Sequence, residues 1–425
     1  MINSESVAAV GDARLNAHFI RPLYETYCFS RLPQTIRALL VDGVEPGISF
    51  GPRQDLYQEY DSVILFFIDA FGWRFFQQFA DSHPFLRRIV DEGLVCKLTS
   101  QFPSTTAAHV TAIHTGLPVG QSGVYEWFYY EPLVDALIAP LLFSFAGDHD
   151  RETLRATGVT TEQLFPTQTI YQDLGRHGVR SFVFQDRAYA LSPYTTAVTT
   201  GATVVPYVTL PEAIVNLSQM LARQEERTYY FLYYDRIDAI CHTYGPESRQ
   251  VAAEILTFLD VMERVFQESL AETDCRTLFL MTADHGQMAI DPATTIYLNR
   301  SVPELTPLLK TNHAGHPLVP AGSSRDMFLH IKEGHLDEAQ SMLQRHLEGK
   351  AEVYRVSDLI EQHFFGSAPP SADLLKRVGD LVVLPYRHES VWWYEQGRFE
   401  QRFFGQHGGL STDEMETILL AQPYG

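Results

Sequence analysis

The sequence has few cysteines, and none lies in a common structural motif. Cys28, Cys96, Cys241 and Cys275 are scattered along the chain without CxxC spacing. This pattern excludes a zinc-thiolate knuckle and a disulfide framework. We therefore expect reduced, mostly buried thiols and a cytoplasmic protein.

Basic residues are also scarce. The chain has 32 lysines and arginines against 52 aspartates and glutamates, a formal net charge of −20. Because proteins that grip a nucleic-acid backbone usually carry a basic stripe, a nucleic-acid polymer is excluded as a partner. A single nucleotide or another small phosphoester could still bind where metal cations reverse the local charge.

Long apolar stretches are absent as well. No apolar run reaches about 18 residues, and the first residues do not combine a basic start with an apolar core. We therefore expect neither a membrane span nor a secretory signal. The 425 residues are read as one catalytic domain, 1–425.

Two buried-strand patterns end in residues that can bind metal. Residues 63–68 are apolar and are followed by Asp69, and residues 277–282 are followed by Asp284, His285 and Gly286. Near-continuous apolar runs are typical of parallel strands covered on both faces, whose carboxyl ends carry the chemistry in α/β sheets. Further strands alternate with helices, which predicts a doubly wound, mostly parallel α/β sheet flanked by helices. A plain strand-end turn or a helix-capping Asp69 is the alternative for each stretch.

Three more stretches carry candidate residues. FPSTTAAHV predicts a helix that begins near Thr105 and Thr106, where backbone N–H groups and the helix dipole favour an anion. Asp238 and His242 are four residues apart, so one helical turn would put them on one face. The bland alternatives are an ordinary N-cap and a surface pair.

The C-terminal stretch contains His407 between glycines, which let the backbone approach a ligand closely. Ser411 and Glu414 have the spacing of a capping box, which predicts that a final helix begins there.

Two regions are harder to interpret. The aromatic run 125–130 is either packing or a wall of a substrate pocket. Residues 289–385 have a less regular rhythm and are predicted to be an inserted cap on the carboxyl side of the sheet.

Taken in order, these blocks resemble the alkaline phosphatase superfamily. The blocks are Asp69, the FPSTT loop, Asp-x-x-x-His followed by TYGP, TADHG and a late Gly-x-His-Gly. The branch that the chain most resembles is the type I phosphodiesterase/nucleotide pyrophosphatase group, over residues 63–409. Five ordered blocks are far more specific than any one of them.

The resemblance implies two zinc ions with Thr106 as the nucleophile that bridges them. Manganese or iron could bind the same mixed carboxylate and imidazole donors. The implied reaction passes through a phosphothreonine intermediate. The implied metal ligands are Asp238, His242 and His407 for one ion, and Asp69, Asp284 and His285 for the other, with Thr106 between them.

One departure from the family pattern concerns the substrate. The nucleotide pyrophosphatases have an asparagine about twenty residues beyond the nucleophile, which donates to a phosphoryl oxygen. Here that place falls at Tyr125-Glu126-Trp127, and no asparagine lies between Thr106 and Trp127.

The leading interpretation is a metal-dependent phosphodiesterase that acts on a nucleotide or another small diester. The alternatives are a phosphomonoesterase or phosphonate hydrolase of the same superfamily, and a catalytically silent metal-binding protein. A sulfatase is disfavoured because the Cys/Ser-x-Pro-x-Arg motif is missing.

Overall fold

The two strands that end in candidate metal ligands lie side by side in the centre of a seven-stranded sheet. The computed structural model describes residues 1–271 and 275–425. In chain order the strands of this sheet are β1 (Ser62–Ile68), β2 (Leu94–Thr99), β3 (Arg180–Asp186), β4 (Thr203–Tyr207), β5 (Thr228–Tyr234), β6 (Thr277–Thr282) and β7 (Glu416–Tyr424). Their order across the sheet is β2-β7-β6-β1-β5-β3-β4.

The sheet is mostly parallel, as the sequence predicts. β1 pairs in parallel with both β5 and β6, and β3 pairs in parallel with both β4 and β5. Side chains of β1 alternate between two hydrophobic clusters, with Val63, Leu65 and Phe67 on one face and Ile64, Phe66 and Ile68 on the other. Helices therefore cover both faces, which gives the predicted doubly wound architecture.

The predicted final helix begins at the expected place, with Ser411 as its N-cap residue, but it is much shorter than an ordinary helix. Residues 412–415 form a single helical turn, and the chain then enters β7, which runs antiparallel to β2 and β6. Alternating apolar residues from Ile418 to Ala421 pack into both hydrophobic clusters, and this burial outweighs the local helix signal. An antiparallel strand begins at the edge where its parallel neighbours end, so β7 brings the residues that precede it to the carboxyl edge.

The α-helices of the described residues alternate with these strands, and the helix Pro193–Val198 and the strand β4 were not predicted. The helices span Ser4–Asp12, Leu32–Leu40, Trp73–Phe79, Pro84–Glu92, Thr106–Thr115, Val119–Ser122, Thr161–Leu164, Ile170–Arg176, Pro193–Val198, Leu210–Leu221, Arg236–Tyr244, Arg249–Val261, Gln267–Ala271, Leu298–Ser301, Leu336–His346, Val356–Glu361, Ala372–Arg377 and Thr412–Met415. In the part of the chain that the structure describes, no helix is both long and apolar enough to cross a bilayer.

Most residues of the predicted insertion 289–385 build a separate small layer. The antiparallel strands Met327–Leu329, Leu381–Pro385 and Ala351–Arg355 form a sheet beside the helix Leu336–His346. Apolar residues between 298 and 393 form a third hydrophobic cluster. Leu381 and Val383 belong to that cluster, whereas Val382 and Leu384 face the main core, so one strand joins the two.

Candidate metal centre

The strand order explains why distant residues meet at one edge of the sheet. β6, β1 and β5 are adjacent and parallel, so their carboxyl ends lie together. Asp69 follows β1, Asp284 follows β6 and Asp238 lies in the first turn of the helix after β5. His407 precedes the antiparallel β7 and arrives at the same edge from the opposite direction.

Asp69, Asp284 and His285 form a buried cluster. His285 Nε2 lies 3.2 Å from Asp284 Oδ2 and 3.5 Å from Asp69 Oδ1. Asp284 Oδ1 accepts hydrogen bonds from the backbone N–H groups of Ala70 and His285, at 3.2 and 2.9 Å. Its Oδ2 is buried and has no hydrogen-bond partner among the described residues. The cluster therefore presents a carboxylate oxygen that only a cation or a proton would satisfy.

Asp238, His242 and His407 form a second, more open cluster. His242 Nε2 lies 3.3 Å from Asp238 Oδ2, and His407 Nε2 lies 3.8 Å from Asp238 Oδ1. Ligand atoms of Asp238, His285 and His407 lie within 4.8 Å of one another, so His285 connects the two clusters. The His285 and His407 rings stack with their centroids 3.7 Å apart.

The three histidines are oriented in the same way. Each Nδ1 lies against a backbone carbonyl oxygen: His242 at Gly405, His285 at Gly286 and His407 at Ser104, at 2.8 to 2.9 Å. A carbonyl oxygen can only accept, so each Nδ1 carries the proton and donates. Each Nε2 is then the free lone pair, and this is how metal-ligating histidines are usually held.

Thr106 lies against the buried cluster at the start of its helix, and it lines the larger cavity together with the second cluster. Its hydroxyl oxygen is 3.3 Å from Asp69 Oδ2 and 3.3 Å from His285 Nε2. Thr105 is the N-cap residue and Thr106 the first helical residue, as the sequence predicts. The helix N-terminus places backbone N–H groups where an anion bound at Thr106 would meet them.

Neighbouring segments hold this loop in place. The Ser104 hydroxyl donates to the carbonyl oxygen of Gly409 at 2.7 Å, which ties the loop to the His407 segment. Buried His109 accepts at Nε2 from the backbone N–H of Gln101 at 2.9 Å and donates from Nδ1 to the Thr105 carbonyl at 2.7 Å. The position of Thr106 is therefore set before any ligand binds.

The electrostatics fit a cation at these carboxylates. Burial raises the pKa of Asp284 to about 7, and it raises the pKa of Asp69 well above its usual range, together with the charges of Asp284 and Asp238. Burial alone would also raise the pKa of Asp238, but His242 and His407 hold it well below its usual range. Among the described residues, no lysine or arginine forms an ion pair with any of the three aspartates.

Carboxylate and imidazole donors together suit zinc. Removed from water and without a lysine or arginine partner among the described residues, the three aspartates would repel one another when ionised. Divalent cations would relieve this repulsion, so the donor set fits bound metal.

Two side chains that contact the ligands were missed by sequence reasoning. The Tyr233 hydroxyl donates to Asp69 Oδ2, and the Gln287 amide donates to Asp238 Oδ1. Tyr233 lies on β5 opposite Phe67 of β1, a register that the sequence does not show. Gln287 lies two residues after His285, and this short spacing is the sequence feature from which its position near the metal ligands could have been predicted.

Two cavities meet at Thr106. The larger, of about 730 Å³, is lined by Thr105, Thr106, Trp127, Phe128, His407 and residues 397–403, among others. The smaller, of about 230 Å³, is lined by Asp69, Thr106, Trp127, Tyr189, Gln185 and Asp235, among others. Both contain Thr106, Trp127 and Asp238. The predicted aromatic wall is thus partly confirmed, since Trp127 and Phe128 line the larger cavity.

The other aromatic residues of the run do not line these cavities. Tyr125 and Tyr129 are fully buried and stack on each other with ring centroids 5.3 Å apart. Their role is packing, which was the alternative interpretation of this run.

Comparison with solved structures finds the same fold in two kinds of hydrolase. Murine ectonucleotide pyrophosphatase/phosphodiesterase 5 is 16% identical, with 85% of this chain and 87% of that chain covered and a TM-score of 0.63. The human protein of the same name is 17% identical, with the same coverage and a TM-score of 0.62. Phosphonoacetate hydrolase from Sinorhizobium meliloti is 16% identical, with 84% and 89% covered and a TM-score of 0.59. No curated protein sequence matches the chain.

The family profile gives a more specific result than the fold. The profile of type I phosphodiesterase/nucleotide pyrophosphatase matches residues 63–410, which include every predicted metal ligand and Thr106. The chain therefore belongs to the type I phosphodiesterase/nucleotide pyrophosphatase family and is a phosphoester hydrolase with an alkaline phosphatase-like fold.

Proposed function

We propose that the chain hydrolyses phosphodiesters through a covalent phosphothreonine on Thr106, beside two divalent metal ions. The observation that carries this proposal is the meeting of two cavities at Thr106. A phosphodiester has two organic groups on phosphorus, and each cavity accepts one of them while phosphorus lies at the hydroxyl. A monoester would leave one cavity without a function.

The metal ligands follow from the two clusters. One ion would be held by Asp69, Asp284 and His285, and the other by Asp238, His242 and His407, with Thr106 as the residue that the two would activate. Zinc suits these donors, and manganese or iron accepts the same set. When bound, the ions lower the cost of ionising the Thr106 hydroxyl and of charge on the leaving oxygen.

The residues of the chain account for the two steps. In the first, Thr106 Oγ1 forms a bond to phosphorus, the bond to the leaving oxygen breaks, and an alcohol or nucleotide departs with the threonine proton. In the second, water forms the new bond to phosphorus and the bond from phosphorus to Thr106 Oγ1 breaks. Thr106 regains its proton from the water, and the phosphate leaves as a monoester that carries the second organic group. The helix N-terminus at Thr106 supplies backbone donors to the phosphoryl oxygens in both steps.

A nucleotide is the first substrate class to test. An inactive variant of murine ectonucleotide pyrophosphatase/phosphodiesterase 5 was solved in complex with AMP. Trp127 is 38% exposed at the junction of the two cavities, so a base can stack on its ring.

We further propose that residues 289–385 are an insertion within one catalytic domain of residues 1–425, since Gly322, Ser323 and Ser324 line the larger cavity.

The test compares a diester with a monoester on zinc-loaded enzyme. Bis-p-nitrophenyl phosphate should be hydrolysed faster than p-nitrophenyl phosphate, and Thr106→Ala should abolish both activities while two metal equivalents remain bound. Thr257→Ala is the matched control, because Thr257 is an exposed helical threonine that lines neither cavity. Faster hydrolysis of the monoester, or of phosphonoacetate, would replace the diesterase proposal with the corresponding alternative.

A further inference from the structure

Two carboxyl groups outside the metal clusters lie buried against each other. Glu126 is 1% exposed and Asp326 is fully buried, and their side chains are within hydrogen-bonding reach. Glu126 Oε1 and Asp326 Oδ2 have no partner among the described residues. Two ionised carboxylates cannot lie together in a dry site without a cation, so a proton between them is the simplest way to satisfy both oxygens.

The surroundings supply no such cation. In the part of the chain that the structure describes, no lysine, arginine or histidine forms an ion pair with either carboxyl. The neighbouring Arg325 is instead paired with Glu414, through two hydrogen bonds of 2.9 Å. Two other titratable groups act on the pair: the charge of Glu414, which helps to raise the pKa of Asp326, and Tyr125, which stays protonated because burial raises its pKa well above the usual range.

Each carboxyl is attached to a different part of the active site. On one side, Glu126 accepts from the backbone N–H of Trp127 and lies against the Thr105 side chain, next to Thr106. Thr105 is an N-cap residue whose hydroxyl makes no capping hydrogen bond, so it is free for this contact.

The other carboxyl contacts the His407 segment through Ser323. The Ser323 hydroxyl lies 2.5 Å from Asp326 Oδ1 and 2.9 Å from the His407 carbonyl oxygen. Gly408 has a φ of +123°, and a Cβ there would come within 2.4 Å of Asp326 Oδ1. The backbone after His407 therefore packs directly on Asp326, as only glycine allows.

We propose that Glu126 and Asp326 share one proton, and that this carboxyl clasp positions Thr106 relative to His407 for the reaction. The clasp rests on the proposed function, because its purpose is to hold the nucleophile beside the metal ligands. Burial raises the pKa of Glu126 to about 8 and that of Asp326 well above its usual range, which agrees with a shared proton at neutral pH. In this proposal Glu126 and Asp326 act as positioning residues, and Glu126 also lines the larger cavity.

Rescue by an amide is the first test. Glu126→Ala should lower kcat about 10- to 100-fold with a smaller change in KM, as when a residue that orients metal ligands is lost. Glu126→Gln should restore kcat to near the wild-type value, because its amide donates to Asp326 without a shared proton. Asp326→Asn should do the same from the other side. Equal kcat in Glu126→Ala and Glu126→Gln would overturn the clasp, and the two amide variants decide the matter if the alanine variant does not fold.

The pH profile of kcat is the second readout. Wild-type kcat should fall as the pH rises through about 8, because the shared proton is lost and the carboxylates repel. Glu126→Gln and Asp326→Asn should lack this loss. The same alkaline loss in wild type and in both amide variants would contradict the proposal.

Thermal unfolding of the metal-free protein separates this proposal from the proposed function. A folded-state pKa raised above the unfolded value means that stability is lost as the pH rises from about 4.5 towards 8. The Tm of the wild type should therefore fall relative to that of Glu126→Gln over this range. If no phosphoester is hydrolysed but this difference is found, the proposed function fails and the shared proton stands. If diesters are hydrolysed and the two Tm profiles coincide, the clasp fails alone.

Discussion

The two ligand clusters are built from similar residues but differ in how the chain holds them. In the cluster of Asp69, Asp284 and His285, side-chain exposure is 2% or less. In the cluster of Asp238, His242 and His407 it is 11 to 19%. The first cluster follows two central strands, whereas the second comes from a helix and a loop at the larger cavity.

This difference in position produces a difference in charge balance. Among the described residues, one buried oxygen of Asp284 has no hydrogen-bond partner, and burial raises the pKa of Asp284 and of Asp69. Asp238 is instead stabilised as a carboxylate by His242 and His407. If the proposed metals bind, the buried cluster should depend on its metal for charge neutralisation, whereas the open cluster should be preorganised without metal and should exchange its ion more readily.

The largest expected effect is at the buried cluster. Asp284→Asn should lower kcat/KM by roughly 10³-fold or more, since a lost metal contact removes several kcal/mol of transition-state stabilisation. The metal-free variant should nevertheless melt at a higher temperature than the metal-free wild type at pH 8, because an unpaired buried carboxylate is gone. Steady-state kinetics measures the loss of activity, and calorimetry of the metal-free and zinc-loaded proteins measures the change in melting temperature. A metal-free variant less stable than the wild type would remove the proposed difference between the clusters.

His242→Ala tests the open cluster with a smaller expected loss. We expect kcat/KM to fall about 100-fold and the affinity for one metal equivalent to fall with it, because Asp238 and His407 still bind. Excess zinc should restore part of the activity, as it should not in Asp284→Asn. Titration of His242→Ala and Asp284→Asn with zinc, side by side, measures how much activity each variant recovers. Equal recovery in both would show that the clusters are equivalent.

Tyr233→Phe addresses the groups behind the ligands. The Tyr233 hydroxyl donates to Asp69, so its removal should lower activity about 10- to 30-fold without loss of fold. Gln287→Leu is the counterpart at Asp238 and should weaken metal binding at the open cluster only. Steady-state kinetics with metal analysis distinguishes the two, and unchanged kinetics in both would mean that these contacts do not orient the ligands.

The smallest expected effect concerns Trp127, which lines both cavities. Trp127→Ala should raise KM for an aromatic diester about 10-fold and leave kcat nearly unchanged, since stacking contributes about 1–2 kcal/mol to binding. Leu133→Ala, an exposed apolar residue that lines neither cavity, is the control. A fall in kcat with constant KM would place Trp127 in the chemical step instead.

The features that could be predicted are those whose residues lie next to one another in the sequence. The strands β1 and β6 and the carboxylates after them were predictable because apolar runs, turn residues and ligands are contiguous. The helix start at Thr106 was predictable for the same reason. The assignment of ligands to two ions came from the resemblance to a known family, and spacing alone does not supply it.

The elements that sequence reasoning missed depend on contacts between distant segments. Residues 416–424 carry a helix signal just before them, and only pairing with β2 and β6 makes them a central strand. Tyr233 and Gln287 become significant through their contacts with Asp69 and Asp238. Glu126 was noticed as a departure from the family pattern, but its partner Asp326 lies two hundred residues away and only the fold reveals it.

The most direct test of the account is to trap the phosphorylated enzyme. Zinc-loaded protein is mixed with bis-p-nitrophenyl phosphate, quenched in acid during the first turnover, digested and examined by mass spectrometry. We predict one p-nitrophenyl phosphoryl group on the peptide that contains Thr106, localised to Thr106 and absent from Thr106→Ala. The same adduct on another residue, or a first-turnover burst of nitrophenol in Thr106→Ala equal to that of the wild type, would contradict this prediction.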